Sequence, residues 1–74
     1  MASHKRLLLS QVKAPARKFR AVGVDLEDAA LYFIGDFDDL QAAERAASAR
    51  AGTAHPVYVF NDEGKLRVRC GSWA

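Results

Sequence analysis

The chain predicts a small α+β domain, with a mixed sheet of four to five strands, one helix packed on one face, and the order β-β-β-α-β-β. Three observations point to it. The stretch from Asp38 to Gly52 starts on acidic residues, repeats alanine at helical spacing and ends on glycine. After Pro56 the apolar period changes from 3.6 to 2, and Asn61-Asp62-Glu63-Gly64 interrupts the alternation with turn residues. Before the helix, short apolar runs are broken at Ala14-Pro15 and at Leu26-Glu27-Asp28-Ala29. All 74 residues read as a single domain, 1–74, near the size at which one core is only marginally sufficient.

Residues 6–12 form a strand or short apolar run, which Ala14-Pro15 ends, because proline disfavours helix at the residue before it and lacks an N–H. Residues 17–25 have the β-branched content of a strand. Phe19, Ala21 and Gly23 fall on one face; Val22 and Val24 share the other with Lys18 and Arg20. Residues 26–29 turn the chain, and Leu31-Tyr32-Phe33-Ile34 follows as a buried strand. A helix from Asp25 through Phe33, capped by Asp25, is the rival reading. Aromatic content and the early Gly35 favour the strand.

Asp38 is the expected N-cap of the helix, with Gln41 three residues on in a capping-box arrangement. Asp36, Asp38 and Asp39 complement the positive end of its dipole, Arg45 and Arg50 lie toward the negative end, and Gly52 is the expected left-handed C′ residue. Leu40, Ala43 and Ala47 make the inward stripe, which Ala42, Ala46 and Ala49 widen. In the hairpin, Asn61 to Gly64 suits a type I turn with a G1 bulge, pairing Phe60 with Leu66 and Tyr58 with Val68. On that register Tyr58, Phe60, Leu66, Val68 and Cys70 face the core. Val57, Val59, Lys65, Arg67 and Arg69 face outward. A helix of ~14 residues covers ~21 Å, enough to return along a strand, so the strands flanking it should run parallel through a right-handed crossover.

The bulky core candidates are few: Leu7, Leu8, Leu9, Phe19, Val22, Val24, Leu31, Phe33, Ile34, Leu40, Tyr58, Phe60, Leu66 and Val68. No staple supports them. Cys70 is the single cysteine, and His4, His55 and Cys70 lack metal-ligand spacing, so neither a disulfide nor a metal is expected. Association with a second copy would supply the missing stability. Leu7-Leu8-Leu9 is too short for a secretory signal, and no segment approaches the ~18 apolar residues of a membrane span. A lone cysteine without an export signal reads as cytoplasmic.

Charge is laid out in blocks. Lys5, Arg6, Lys13, Arg17, Lys18 and Arg20 precede any acid; residues 25–44 hold only acids; basic groups dominate residues 45–74, and the net charge is +2. Asp36, Asp38 and Asp39 have a complete explanation as cap and dipole partners, and no His, Lys or acid completes a catalytic pair with them. There is no GxGxxG, no GK[ST] and no calcium-loop pattern. Cys70 reads as a small hydrophobe and Trp73 as a seal on the sheet or an anchor for a partner. No enzyme, cofactor, metal or small-molecule substrate is expected. The sequence reads as a binding module, and its candidate surface is Val57, Val59, Lys65, Arg67, Arg69, Lys18 and Arg20. Protein contact or self-association through the open sheet face leads; nucleic acid on the basic hairpin face is the alternative. A small inhibitor or regulator of a larger complex is the third. Aromatics on the basic face would favour nucleic acid, and the expected register puts Tyr58 and Phe60 on the other side.

Overall fold

The computed structural model describes residues 6–52 and 54–71; Trp73 and His4 lie outside them. Five strands, β1 (Arg6–Leu7), β2 (Phe19–Asp25), β3 (Ala30–Phe37), β4 (Val57–Phe60) and β5 (Leu66–Cys70), form one sheet in the order β1-β3-β2-β4-β5. One helix, α1 (Leu40–Arg50), connects β3 to β4 and packs on one face. The α+β class and the element order are those the sequence predicts. The sheet, however, is antiparallel throughout rather than mixed. β3 and β4 do point the same way, since both pair antiparallel with β2, but β2 lies between them. Two strand spacings are about 10 Å, close to the diameter of a helix, so α1 sits across three strands and joins the outer two.

The first apolar run pairs only at Arg6 and Leu7, and Leu9–Gln11 turns as a single 3-10 segment. Residues 30–37 are strand, and Asp25, the cap of the rival helix, instead accepts from the N–H groups of Glu27 and Asp28. That closes the β2–β3 turn, helped by Ala29 at φ 54°. β3 also runs beyond Gly35. Ala21 pairs with Gly35 and Val22 with Phe33, leaving Ile34 as an extra residue that packs toward the helix.

The cap of α1 is Asp39, not Asp38: its carboxylate accepts from the Ala42 N–H at 2.7 Å. Asp38 is held by Lys18 instead. The C-terminus also departs from expectation. The chain leaves α1 extended at Ala51, and Gly52 exchanges backbone hydrogen bonds with His55, so the positive φ falls on Ala54 and not on Gly52. Ala43 and Ala47 are fully buried against Ala21, Val57 and Val59; Phe19, Ile34, Phe37, Leu40, Val68 and Cys70 pack around them.

The turn itself is as predicted, with the Gly64 N–H on the Asn61 carbonyl, the Asn61 N–H on the Lys65 carbonyl and Gly64 at φ 78°. Phe60 pairs with Leu66 as expected. A second bulge then places Arg67 as an extra residue, so Val68 meets Val59 and Tyr58 meets Arg69. Because side chains alternate with period 2, one extra residue moves the rest of β5 to the other face. Val57, Val59, Val68 and Cys70 therefore lie under α1. Tyr58, Phe60 and Leu66, expected inside, lie on the helix-free face. The expected exposure of Val57 and Val59 is overturned, and the physical reason is the alanine stripe. A helix lying this close accepts valines beneath it and leaves no space for tyrosine and phenylalanine rings. Leu8, Leu9 and Leu66, expected in the core, are exposed.

Two stability predictions follow from these contacts. Asp39→Ala should cost about 0.5–2 kcal/mol in urea denaturation, whereas Asp38→Ala should stay within about 0.5 kcal/mol. Ala47→Leu should cost about 1–3 kcal/mol, since no space exists between helix and sheet; a neutral Ala47→Leu would show that the helix stands further off.

Candidate functional site

The helix-free face is built from cross-strand rows. One row runs Phe33, Val22, Tyr58, Arg69 across β3, β2, β4 and β5; the next runs Asp36, Arg20, Phe60, Leu66. Leu7, Leu31 and Val24 continue the face toward the β1 edge. Leu7, Val22 and Val24 are buried, while Leu31, Phe33, Tyr58 and Phe60 are half-buried. This face is thus a second apolar layer.

Part of it is covered by the β1–β2 connection. The Gln11 carbonyl accepts from Arg20 Nη1 at 2.7 Å, the Ala14 N–H donates to the Asn61 carbonyl at 3.1 Å, and the Arg17 N–H donates to the Asp62 carboxylate at 2.9 Å. Ala14 is buried, and Lys13 lies beside Gly64 of the hairpin turn. The connection therefore brings Lys13 and Arg17, from the basic N-terminal block, next to Lys65 and the basic strand β5.

The predicted site residues separate into three sets. Val57 and Val59 belong to the core beneath α1 and cannot be reached by a partner. Lys18 and Arg20 are ion-paired. Arg20 grips Asp36 through two bonds, Nε to Oδ1 at 2.8 Å and Nη2 to Oδ2 at 3.0 Å, and its guanidinium lies 5.1 Å from the centre of the Phe33 ring. Lys18 donates to Asp38. The hydrogen bonds that Lys18 and Arg20 donate to Asp38 and Asp36, with the charges of those carboxylates, raise the pKa values of Lys18 and Arg20 respectively, so both cations are held protonated. Lys65, Arg67 and Arg69 are exposed, and among the described residues Lys65 is ion-paired with Glu63, at 3.7 Å.

The structure thus brings Lys65, Arg67 and Arg69 together with residues that sequence reasoning left out: Tyr58, Phe60 and Leu66 on the strands, Lys13 and Arg17 on the connection. Tyr58 and Phe60 meet edge to face, with ring centres 6.4 Å apart and planes at 75°. Leu66 is 51% exposed beside them. The usable signal was the alanine-only helix stripe, which calls for small partners beneath it and assigns the aromatics to the other face.

Acidic groups are drawn away from this corner. Asp36 and Asp38 are paired, Asp39 caps α1, and Asp25, Glu27 and Asp28 sit at the opposite end of β2. Only Asp62 and Glu63 remain near the hairpin. Among the described residues no three His, Cys, Asp or Glu side chains come together as they would around a metal ion. No helix is long and apolar enough to cross a membrane. No protein-family model matches the chain, and neither does any curated protein or solved structure.

The Arg20–Asp36 pair has both side chains largely enclosed, at 19% and 22% exposure. Asp36→Ala should cost about 1–3 kcal/mol, because it strips a charge-assisted bond from a half-buried guanidinium. The double change Arg20→Met, Asp36→Leu should recover most of that loss in the same urea titration. Equal losses from the single and the double changes would show that packing, not pairing, holds this corner.

Proposed function

We propose that the protein is a non-enzymatic binding module that takes single-stranded nucleic acid on the helix-free face of the β4–β5 hairpin. The observation that carries this reading is the bulge at Arg67, which sets Tyr58 opposite Arg69 and so places aromatics and cations on one face. Bases stack on aromatic rings regardless of sequence, and the phosphates between them are neutralised by flanking cations. Tyr58 and Phe60 supply the rings; Arg67, Arg69 and Lys65, with Lys13 and Arg17 alongside, supply the charge. A sheet face with half-buried rings suits unpaired bases rather than a duplex groove, which is entered by a helix or ribbon. The net charge of +2 supplies little long-range attraction, so affinity should rest on local contacts and fall with salt.

A second reading has its own observation. Leu66 is half exposed beside two half-buried rings, which is also the composition of a protein–protein contact, including one made as a small inhibitor or regulator. Salt separates the two, since an apolar protein contact would be nearly salt-independent. A single cysteine, Cys70, supports a cytoplasmic reading, since unpaired thiols suit a reducing compartment.

Fluorescence anisotropy with labelled single-stranded RNA and DNA of about 12 nucleotides tests the proposal. Log affinity should fall with log salt by about 0.7 for each phosphate neutralised. Arg69→Ala should lower that slope by about 0.7, and Phe60→Ala should weaken binding by roughly 5- to 150-fold, the range expected for one lost base stack. Arg67→Glu with Arg69→Glu, both at exposed positions, should abolish binding while circular dichroism is unchanged. Absence of binding by the wild-type chain at low salt would exclude nucleic acid and leave the protein-contact reading.

A further inference from the structure

At the opposite edge of the sheet Leu8 is 69% exposed and Leu9 77% exposed. Their outward position is built. The Leu8 N–H donates to the Gln11 side chain at 2.7 Å and the Gln11 N–H to the Leu8 carbonyl at 2.8 Å, fixing the 3-10 turn that carries Leu9. With Arg6, Ala29, Ala30 and Leu31 these leucines line one shallow groove between β1 and the β2–β3 turn. β1 pairs with only Leu31 and Tyr32 of β3, so the groove lies at a sheet edge.

The two ends of the groove carry opposite charge. Arg6 lines the groove at one end, opposite Tyr32; Glu27 and Asp28 belong to the turn that borders the other end next to Ala29, their backbone fixed by the Asp25 carboxylate at 3.0 and 3.3 Å. All three side chains are exposed, and among the described residues none of them has an ion-pair partner. A strip ordered acid, leucine, base is complementary to itself under a two-fold rotation. The leucines of one copy then lie on those of the other, and Arg6 of each copy faces Glu27 and Asp28 of its partner.

We infer that this edge is an isologous contact between two copies of the chain. A two-fold axis satisfies both charged ends at once, whereas an anionic membrane surface would be repelled by Glu27 and Asp28. The patch is small and belongs at the low end of interface sizes, below about 1,200 Å² in total, so the dimer forms in the micromolar range or above. The contact is independent of the nucleic-acid reading. It uses the β1 edge and leaves β5 facing outward on both copies.

Sedimentation equilibrium over roughly 10 µM to 1 mM, the span in which so small an interface should populate, tests it. The wild-type chain should show a monomer–dimer equilibrium, and Leu9→Glu, at an exposed position, should be a folded monomer. Arg6→Glu alone should be monomeric, and so should Glu27→Lys with Asp28→Lys, because each places like charges at both ends of its own homodimer. An equimolar mixture of these two variants should dimerise again, since both ends are then complementary. A wild-type chain that stays monomeric throughout overturns the inference, and so does a mixture that fails to associate. Wild-type monomers that partition onto neutral phosphatidylcholine vesicles would assign the leucines to a lipid surface and overturn it equally.

Discussion

The close approach of α1 to the sheet is the constraint on which the rest of the molecule depends. Ala43 and Ala47 meet Ala21, Val57 and Val59 with nothing left exposed, so helix and sheet are separated by little more than methyl groups. Larger side chains are confined to the rim of this contact, where Phe19, Ile34, Phe37 and Leu40 pack around it. The aromatics of β4 have no place there. They occupy the reverse face, and the chain must then shield that face with the material it has.

That material is the β1–β2 connection, tied down through polar contacts more than through bulk. Arg20 is the centre of the arrangement. One guanidinium binds Asp36 through two nitrogens, reaches the Gln11 carbonyl with a third and covers the Phe33 ring. Such a fork holds three elements in register at once, which an ammonium group could not do. The cost of enclosing the charge is met by its hydrogen bonds, and no buried side-chain polar atom among the described residues lacks a partner. Asp36 and Asp38 of the acidic block are taken up by Arg20 and Lys18, while Arg67 and Arg69 of the hairpin stay exposed.

Much of this was legible in the residues. Helix, hairpin turn, the break at Pro15 and the order of elements follow from periods, caps and turn chemistry, all of which act over a few residues. Two kinds of feature were not legible. The cap moved by one residue, from Asp38 to Asp39, because Lys18, twenty positions away, claims Asp38. The buried face of the hairpin was inverted because the bulge at Arg67 depends on how β4 and β5 meet beneath the helix, and nothing in L-R-V-R-C marks it. Alternating valine and aromatic residues in VYVF make both faces of β4 apolar, so pattern alone could not choose between them. Side-chain volume could have chosen, had the alanine stripe been read as a limit on what lies beneath it. The candidate surface inherited the error: Val57 and Val59 lie in the core beneath the helix, while Arg67 and Arg69 are exposed.

The bulge at Arg67 also sets how this hairpin can change over generations. A strand that carries one extra residue has a parity, and every position beyond it is core or surface according to that parity. Substitutions at Arg67 leave the parity alone, so the charge offered at this position can change without disturbing the core. Loss of Arg67 itself would remove the bulge and leave Val68 opposite Val59 in an unbroken ladder, with Cys70 still beneath the helix. Point changes can therefore tune the charge of the surface gradually, and the extra residue gives β5 room to lose one position before core and surface exchange.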